Sequence, residues 1–221
     1  MDYRLIRSRR KTIAICIGRD GEVVVRAPLK ADRRRIDAFV HEKQGWIEEK
    51  STLMAENAAA RREFRVAPGS ALPFLGKEYP VLPGEQVAFD GKSFFLPDGD
   101  FETLKPQIIR LYQSIAVKII SERMNDYVRQ TGLTPSGVRI GSANTRWGSC
   151  SGKNRLSFSW KLILAPPEQV DYVIVHELAH TREHNHSQRF WKLVAQILPD
   201  YQLCQKKLKA VARELQKQDW D

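Results

Sequence analysis

Four of the five histidines in the chain fall within eleven residues, at positions 176, 180, 184 and 186. The first two frame Val175-His176-Glu177-Leu178-Ala179-His180, an H-E-x-x-H arrangement. On a helix, residues four apart lie one above the other on the same face. Two imidazoles so placed can converge on a single Zn²⁺ at about 2.0–2.1 Å. A carboxylate beside the first imidazole can then reach a water in the open coordination position, whose pKa the ion lowers from about 15.7 to about 7. The chemistry implied is hydrolysis by a metal-activated water, with Glu177 as general base and later as proton donor to the leaving group.

A catalytic zinc site of this kind takes a third protein ligand. His186 is the preferred candidate, because the short segment Glu183-His184-Asn185 can turn the chain back towards the ion. His184 and Asp200 compete. His184 shares the face of His180 if the helix continues, and Asp200 lies about as far downstream as the glutamate ligand of thermolysin-like enzymes. The spacing from His176 to His186 is that of the metzincins, but Glu183 stands where their glycine would be. All three methionines, Met1, Met54 and Met124, precede the motif, so a Met-turn after it is excluded.

The element that must carry the motif has the right pattern. Val170, Val173, Ile174 and Leu178 recur at helical spacing and can bury one face while the histidines look into a cleft. Pro166-Pro167 suits the first turn of that helix. Upstream, Val138–Ile140 and Arg155–Ser159 read as strands packed beside it, with a turn-rich segment between them. Downstream, Asn185 is a candidate cap for the next helix. Tyr201 to about Lys217 reads as a basic helix after a stop at Pro199-Asp200.

Further from the motif, Thr12–Ile17 and Glu22–Ala27 read as a β-hairpin about Asp20-Gly21. Asp32 can cap one helix reaching to about residue 60. Residues 64–98, broken by Pro68-Gly69, Gly76, Pro83-Gly84 and Asp90-Gly91, read as short strands joined by turns. Leu104 to Gln130 is helical in pattern, and Gly132 ends it. The fold class expected is α+β. A soft boundary near residue 100 separates a β-rich N-terminal half with one long helix, 1–100, from a hydrolase half, 101–221.

Composition narrows the partners. The chain has 221 residues, is 42% hydrophobic and carries a formal net charge of +10. Much of that charge is early, in Arg7, Arg9, Arg10, Lys11 and Arg33-Arg34-Arg35, and a positive field concentrates anionic partners. No apolar run is long enough for a membrane span, and no signal peptide is visible, so a cytoplasmic location without membrane association is expected. The three cysteines, Cys16, Cys150 and Cys204, are odd in number and widely spaced, which disfavours a disulfide framework or a thiolate zinc site.

The sequence resembles the YgjP-like metallopeptidase family, relatives of the SprT-like and other small zincin proteases. The resemblance is carried by Arg146-Trp147-Gly148-Ser149-Cys150-Ser151, by Trp160-Lys161-Leu162-Ile163-Leu164-Ala165-Pro166-Pro167, by the run from Asp171 to His180, and by Asn185-His186-Ser187-Gln188-Arg189-Phe190-Trp191. The early Arg7-Ser8-Arg9-Arg10-Lys11-Thr12 is similar too. The resemblance implies a zincin-like catalytic half, a small sheet packed on the active-site helix, with His176, His180 and His186 as ligands and Glu177 as general base. Ser159 departs from it, since the family more often has asparagine before Trp160.

Other residues in these segments have physical readings of their own. Arg146 is a candidate for binding a substrate carbonyl, carboxylate or phosphate, or for a salt bridge that fixes its loop. Trp147 and Trp160 read as packing anchors, Cys150 as a structural thiol, and Phe190 and Trp191 as a wedge between the helices that holds His186. Three functions compete. The first is a zinc metallopeptidase acting on a peptide or protein, with Arg155–Ser159 as the edge strand that holds it. The second is a metal-dependent hydrolase of nucleoside triphosphates or other phosphoanhydrides, suited by the basic surface but lacking a P-loop. The third is a protease acting at DNA, motivated by the positive N-terminal half but without a recognisable nucleic-acid fold.

Overall fold

The computed structural model describes residues Met1–Trp220 as a mixed α+β protein. The chain forms two compact units. The first comprises Met1–Phe64 with Glu214–Asp219, and the second Arg65–Arg213 with Trp220. The division therefore falls well before residue 100, where the sequence texture changes.

In the first unit, β2 (Ala14–Ile17) and β3 (Val23–Pro28) form the expected hairpin, with Ile15 opposite Val25. A further strand, β1 (Arg4–Ser8), adds parallel to the other edge of β3. The one helix expected from Asp32 is two, α1 (Arg33–Glu42) and α2 (Gln44–Glu63), broken at Lys43. Asp32 does cap α1, accepting from the Arg34 amide. Val25, Ala27, Ile36, Val40 and Ile47 form the unit's core. The buried Arg61 guanidinium donates to the carbonyls of Arg19 and Gln216, both at 2.8 Å.

The second unit is built around α3 (Phe101–Thr131), a 31-residue helix capped by Asp100 and ended by Gly132 at φ 70°, a left-handed turn that glycine adopts without strain. The short strands β4 (Ala71–Phe74), β5 (Lys77–Pro83), β6 (Ala88–Phe89) and β7 (Phe94–Leu96) form one sheet in the order β4-β5-β7-β6. Phe94 of this sheet packs on Tyr112 of α3, whose hydroxyl donates to the Pro73 carbonyl at 2.8 Å. That shared core is why residues 65–98 belong with α3 and not with the hairpin unit. Tyr112 also stacks on the fully buried Trp160, with centroids 5.4 Å apart, and Trp220 meets both edge-on.

A second sheet positions the site. Its strands are β8 (Gly137–Gly141), β9 (Gly148–Cys150) and β10 (Arg155–Ser159), in the order β8-β10-β9. β10 is thus the central strand, parallel to β8 and antiparallel to β9, with its backbone groups committed on both sides. Arg155–Ser159 cannot be the edge strand the sequence suggested; β9, hidden in the turn-rich segment, is the edge that packs on α4 (Pro167–Ala179). Pro167 occupies the first turn of α4, as its fixed φ favours. After α4 come two more helices, α5 (Gln188–Ile197) and α6 (Tyr201–Leu215). Arg123 of α3 grips the Asp171 carboxylate of α4 at 2.7 and 2.9 Å, and Val175, Ala179, Phe190 and Val194 form the core between α4 and α5.

Candidate metal centre

α4 buries Val170, Val173, Ile174, Val175 and Leu178, and this fixes the direction in which its other residues point. His176 lies in the last turn and His180 is the C-cap, so the two rings stand one above the other with centroids 4.9 Å apart. Beyond His180 the chain turns sharply. His180 Nδ1 lies 2.9 Å from the Glu183 carbonyl. A carbonyl can only accept, so Nδ1 carries the proton and Nε2 presents its lone pair. Thr181 reinforces the bend by donating its hydroxyl to the Leu178 carbonyl at 2.7 Å.

The turn returns His186 to the helix. His186 Nε2 lies 3.0 Å from His176 Nε2 and 3.2 Å from His180 Nε2. One proton on His186 cannot serve both neighbours, whereas a tetrahedral ion with bonds of about 2.0–2.1 Å would hold nitrogens roughly 3.3 Å apart. The donor set fits a zinc-type cation: three imidazoles whose ligand atoms lie within 4.8 Å of one another. Burial, and then the neighbouring His180 and His186, pull the His176 pKa down to about 4, and burial lowers that of His180 too, so protons compete weakly for these lone pairs. His176 Nδ1 is buried without a partner among the described residues, unlike that of His180.

α5 holds the third ring from behind. Phe190 is fully buried with its centroid 4.4 to 4.9 Å from all three imidazoles, and Trp191 stacks on His186 at 5.6 Å. The pair wedges α5 against α4, as its sequence position suggests. The cap of α5 is Ser187, which accepts from the Phe190 amide, and not Asn185. Asn185 Oδ1 instead accepts from the Ser187 amide and shapes the approach to that cap. His184 is exposed and Asp200 sits at the start of α6, where its carbonyl accepts from Leu203 and Cys204. Neither joins the histidine cluster.

Glu177 is 6% exposed, and burial pushes its pKa up to about 7 against a smaller opposing pull from Arg146. Its side chain packs on Gly148 of β9. Arg146 and Trp147 line the same cavity as Glu177 and His176. Trp147 is therefore a wall of the cleft, while Trp160 is the core anchor expected of both. Ser159 has a definite polar role, donating to the Ala143 carbonyl at 2.8 Å and tying down the loop before Arg146. Burial, with a contribution from Glu177, raises the pKa of Cys150, so its thiol is a poor nucleophile. The signals that sequence reasoning missed are Gly148, a glycine in a strand where another group approaches closely, and the wall that α6 supplies to the cavity.

The model of the YgjP-like metallopeptidase domain matches residues 11–211. The chain belongs to the YgjP-like metallopeptidase family. The crystal structure of the metallopeptidase zymogen of Pyrococcus abyssi abylysin is similar over 45% of this chain and 98% of that one, at 20% identity and a TM-score of 0.40. No curated protein matches the chain. As a YgjP-like protein it is a metallopeptidase at the level of its family. No helix among the described residues is long and apolar enough to cross a membrane.

Proposed function

We propose that this YgjP-like protein is a zinc metallopeptidase in which His176, His180 and His186 hold the ion and Glu177 is the general base. The observation that carries the reading is the convergence of three imidazole Nε2 atoms beside the buried carboxyl of Glu177. A Zn²⁺ held there would acidify a water and polarise the scissile carbonyl. Glu177 takes the proton of the attacking water and passes it to the departing amine. Gly148 lets the carboxyl lie against β9, and Phe190 and Trp191 keep the third ring in place. Arg146, exposed at the cleft, is suited to a substrate carbonyl or carboxylate. The outer edge of β9 offers a peptide backbone a strand to pair with.

The sheet β8-β10-β9 against α4 fits a zincin-like catalytic half. Three free thiols fit a reducing compartment such as the cytoplasm. Family membership favours a peptide or protein substrate, and it lends no support to the nucleotide or nucleic-acid alternatives. The test is metal analysis of the purified protein, then incubation of the zinc-loaded enzyme with casein and with nucleoside triphosphates beside a Glu177→Gln control. Cleavage of casein that the variant loses supports the reading. Nucleotide hydrolysis without proteolysis, or a zinc content unchanged by His186→Ala, refutes it.

A further inference from the structure

The cleft beside Glu177 does not end at the histidines. A cavity of about 320 Å³ opens from Glu177 and His176 towards α6. That volume is at the lower end of small-ligand pockets, roughly 300–1,000 Å³, and suits one large side chain or a chain end. Its walls are apolar: Trp147 from the loop before β9, Val173 from α4 and Leu208 from α6. Two cations line it, Arg146 from the loop before β9 and Lys209 from α6, and both residues are exposed. The one carboxyl in the lining is Glu177, which lies at the reacting end.

We infer that this cavity is a specificity subsite for a substrate carboxylate carried on an apolar stem. The inference rests on the peptidase reading and adds a substrate class to it. Burying the stem against Trp147, Val173 and Leu208 removes apolar surface from water. The carboxylate end then meets two positive groups, and the guanidinium of Arg146 matches it with a planar fork. A lysine side chain in the same place would bring a third positive charge beside two others, so the pocket discriminates by repulsion as well as attraction. Two sources share this chemistry: the side chain of a glutamate flanking the cleaved bond, and the C-terminal carboxylate of a short peptide.

The test uses zinc-loaded full-length protein carrying Glu177→Gln, so that binding is read without turnover. Four hexapeptides differing only in Glu, Gln, Leu or Lys at one central position, each with a free or an amidated C-terminus, are titrated by calorimetry. The expected result is binding at least tenfold tighter for a peptide with a seated carboxylate than for the amidated Lys peptide. Adding Lys209→Glu, an exposed substitution that leaves one cation and one anion in the lining, is expected to cut that preference to threefold or less. A preference for Glu over Lys among the amidated peptides assigns the glutamate side chain; tighter binding of every free peptide than of its amidated form, whatever the central residue, assigns the chain terminus. Equal affinities across the series, no binding at all, or a preference that Lys209→Glu leaves unmoved would overturn the subsite. The parent enzyme with the same peptides separates the two claims. Cleavage without charge preference rejects the subsite and keeps the peptidase, whereas charge-selective binding without cleavage does the reverse.

Discussion

The side chain of Glu177 rests on the backbone of Gly148, so closely that a Cβ at position 148 would stand 2.6 Å from Glu177 Cγ and 2.8 Å from Oε1. No real Cβ tolerates such contacts, so the glycine is what allows the carboxyl to lie between α4 and the edge strand. Gly148→Ala is expected to push the carboxyl away while leaving the imidazoles untouched. A displacement of about 1 Å at a reacting group costs on the order of 100-fold in rate. The variant should therefore lose activity by roughly 10- to 100-fold in kcat with its zinc content unchanged. Full activity, or loss of zinc in parallel with activity, would show that the contact does not position Glu177.

The same burial makes Glu177 a source of instability at neutral pH. In the metal-free fold its carboxyl keeps its proton up to about pH 7, against an ordinary value of 4.5. A raised carboxyl pKa means that the folded state binds more protons than the unfolded chain between those values. The stability this confers is fully present below pH 4.5 and is lost as the pH rises through 7. Glu177→Gln removes the titration, so metal-free variant and parent should differ little at about pH 4.5. By about pH 8 the variant should be the more stable by up to about 3 kcal/mol. The depressed His176 acts on both proteins alike and cancels in the comparison. Urea denaturation of the two chelated proteins across that pH range measures the difference, and a gap independent of pH would contradict it.

How far the sequence disclosed this arrangement depends on the range of each interaction. His176 and His180 were legible because helical spacing alone puts them on one face, and the apolar stripe of α4 sets that face. His186 was the preferred third ring because a short turn follows His180, a preference that the family resemblance strengthened while His184 and Asp200 stayed open. The edge strand was not legible, because Gly148-Ser149-Cys150 is brief and lacks alternating apolar residues, while Arg155–Ser159 reads as a strand without revealing its neighbours. Which strand is central depends on pairing with Gly137–Gly141, a contact that local pattern does not encode. The division after Phe64 was hidden for the same reason. The turn-rich texture of residues 64–98 marks short strands, but only the Phe94–Tyr112 contact shows that they share a core with α3. Lys209 and Leu208 reach the cleft through the docking of α6, and nothing near the motif announces them.

The cap of α5 links stability to the site. Ser187 Oγ accepts the Phe190 amide, immediately after His186 and at the helix end that presents Phe190 and Trp191 to the imidazoles. Replacing a serine cap by alanine costs about 1 kcal/mol in general. Ser187→Ala should destabilise the protein by that amount in denaturant and weaken zinc binding, since fraying of the first turn loosens the stack of Trp191 on His186. Ser187→Asp, which keeps an acceptor at the cap, should restore both. A loss of stability with unaltered zinc affinity would separate the cap from the metal site.

Zinc itself should act as a folding ligand whose effect depends on three rings and not on a fourth. Three converging lone pairs exist only in the folded chain, so the ion stabilises it by mass action, by about 2.7 kcal/mol at a roughly hundredfold excess over Kd. Thermal unfolding of the chelated protein is expected several degrees below that of the zinc-loaded one. The difference should vanish in His176→Ala, His180→Ala and His186→Ala. It should persist in His184→Ala, because His184 is exposed and stands outside the cluster. Acid should erase it as well, since imidazolium offers no lone pair; because burial depresses His180 and holds His176 down at about 4, the stabilisation should be lost as the pH falls towards that value. If His184→Ala abolished the response while His186→Ala kept it, the turn after His180 would have to deliver a different ring to the ion, and the wedge of Phe190 and Trp191 would lose its role.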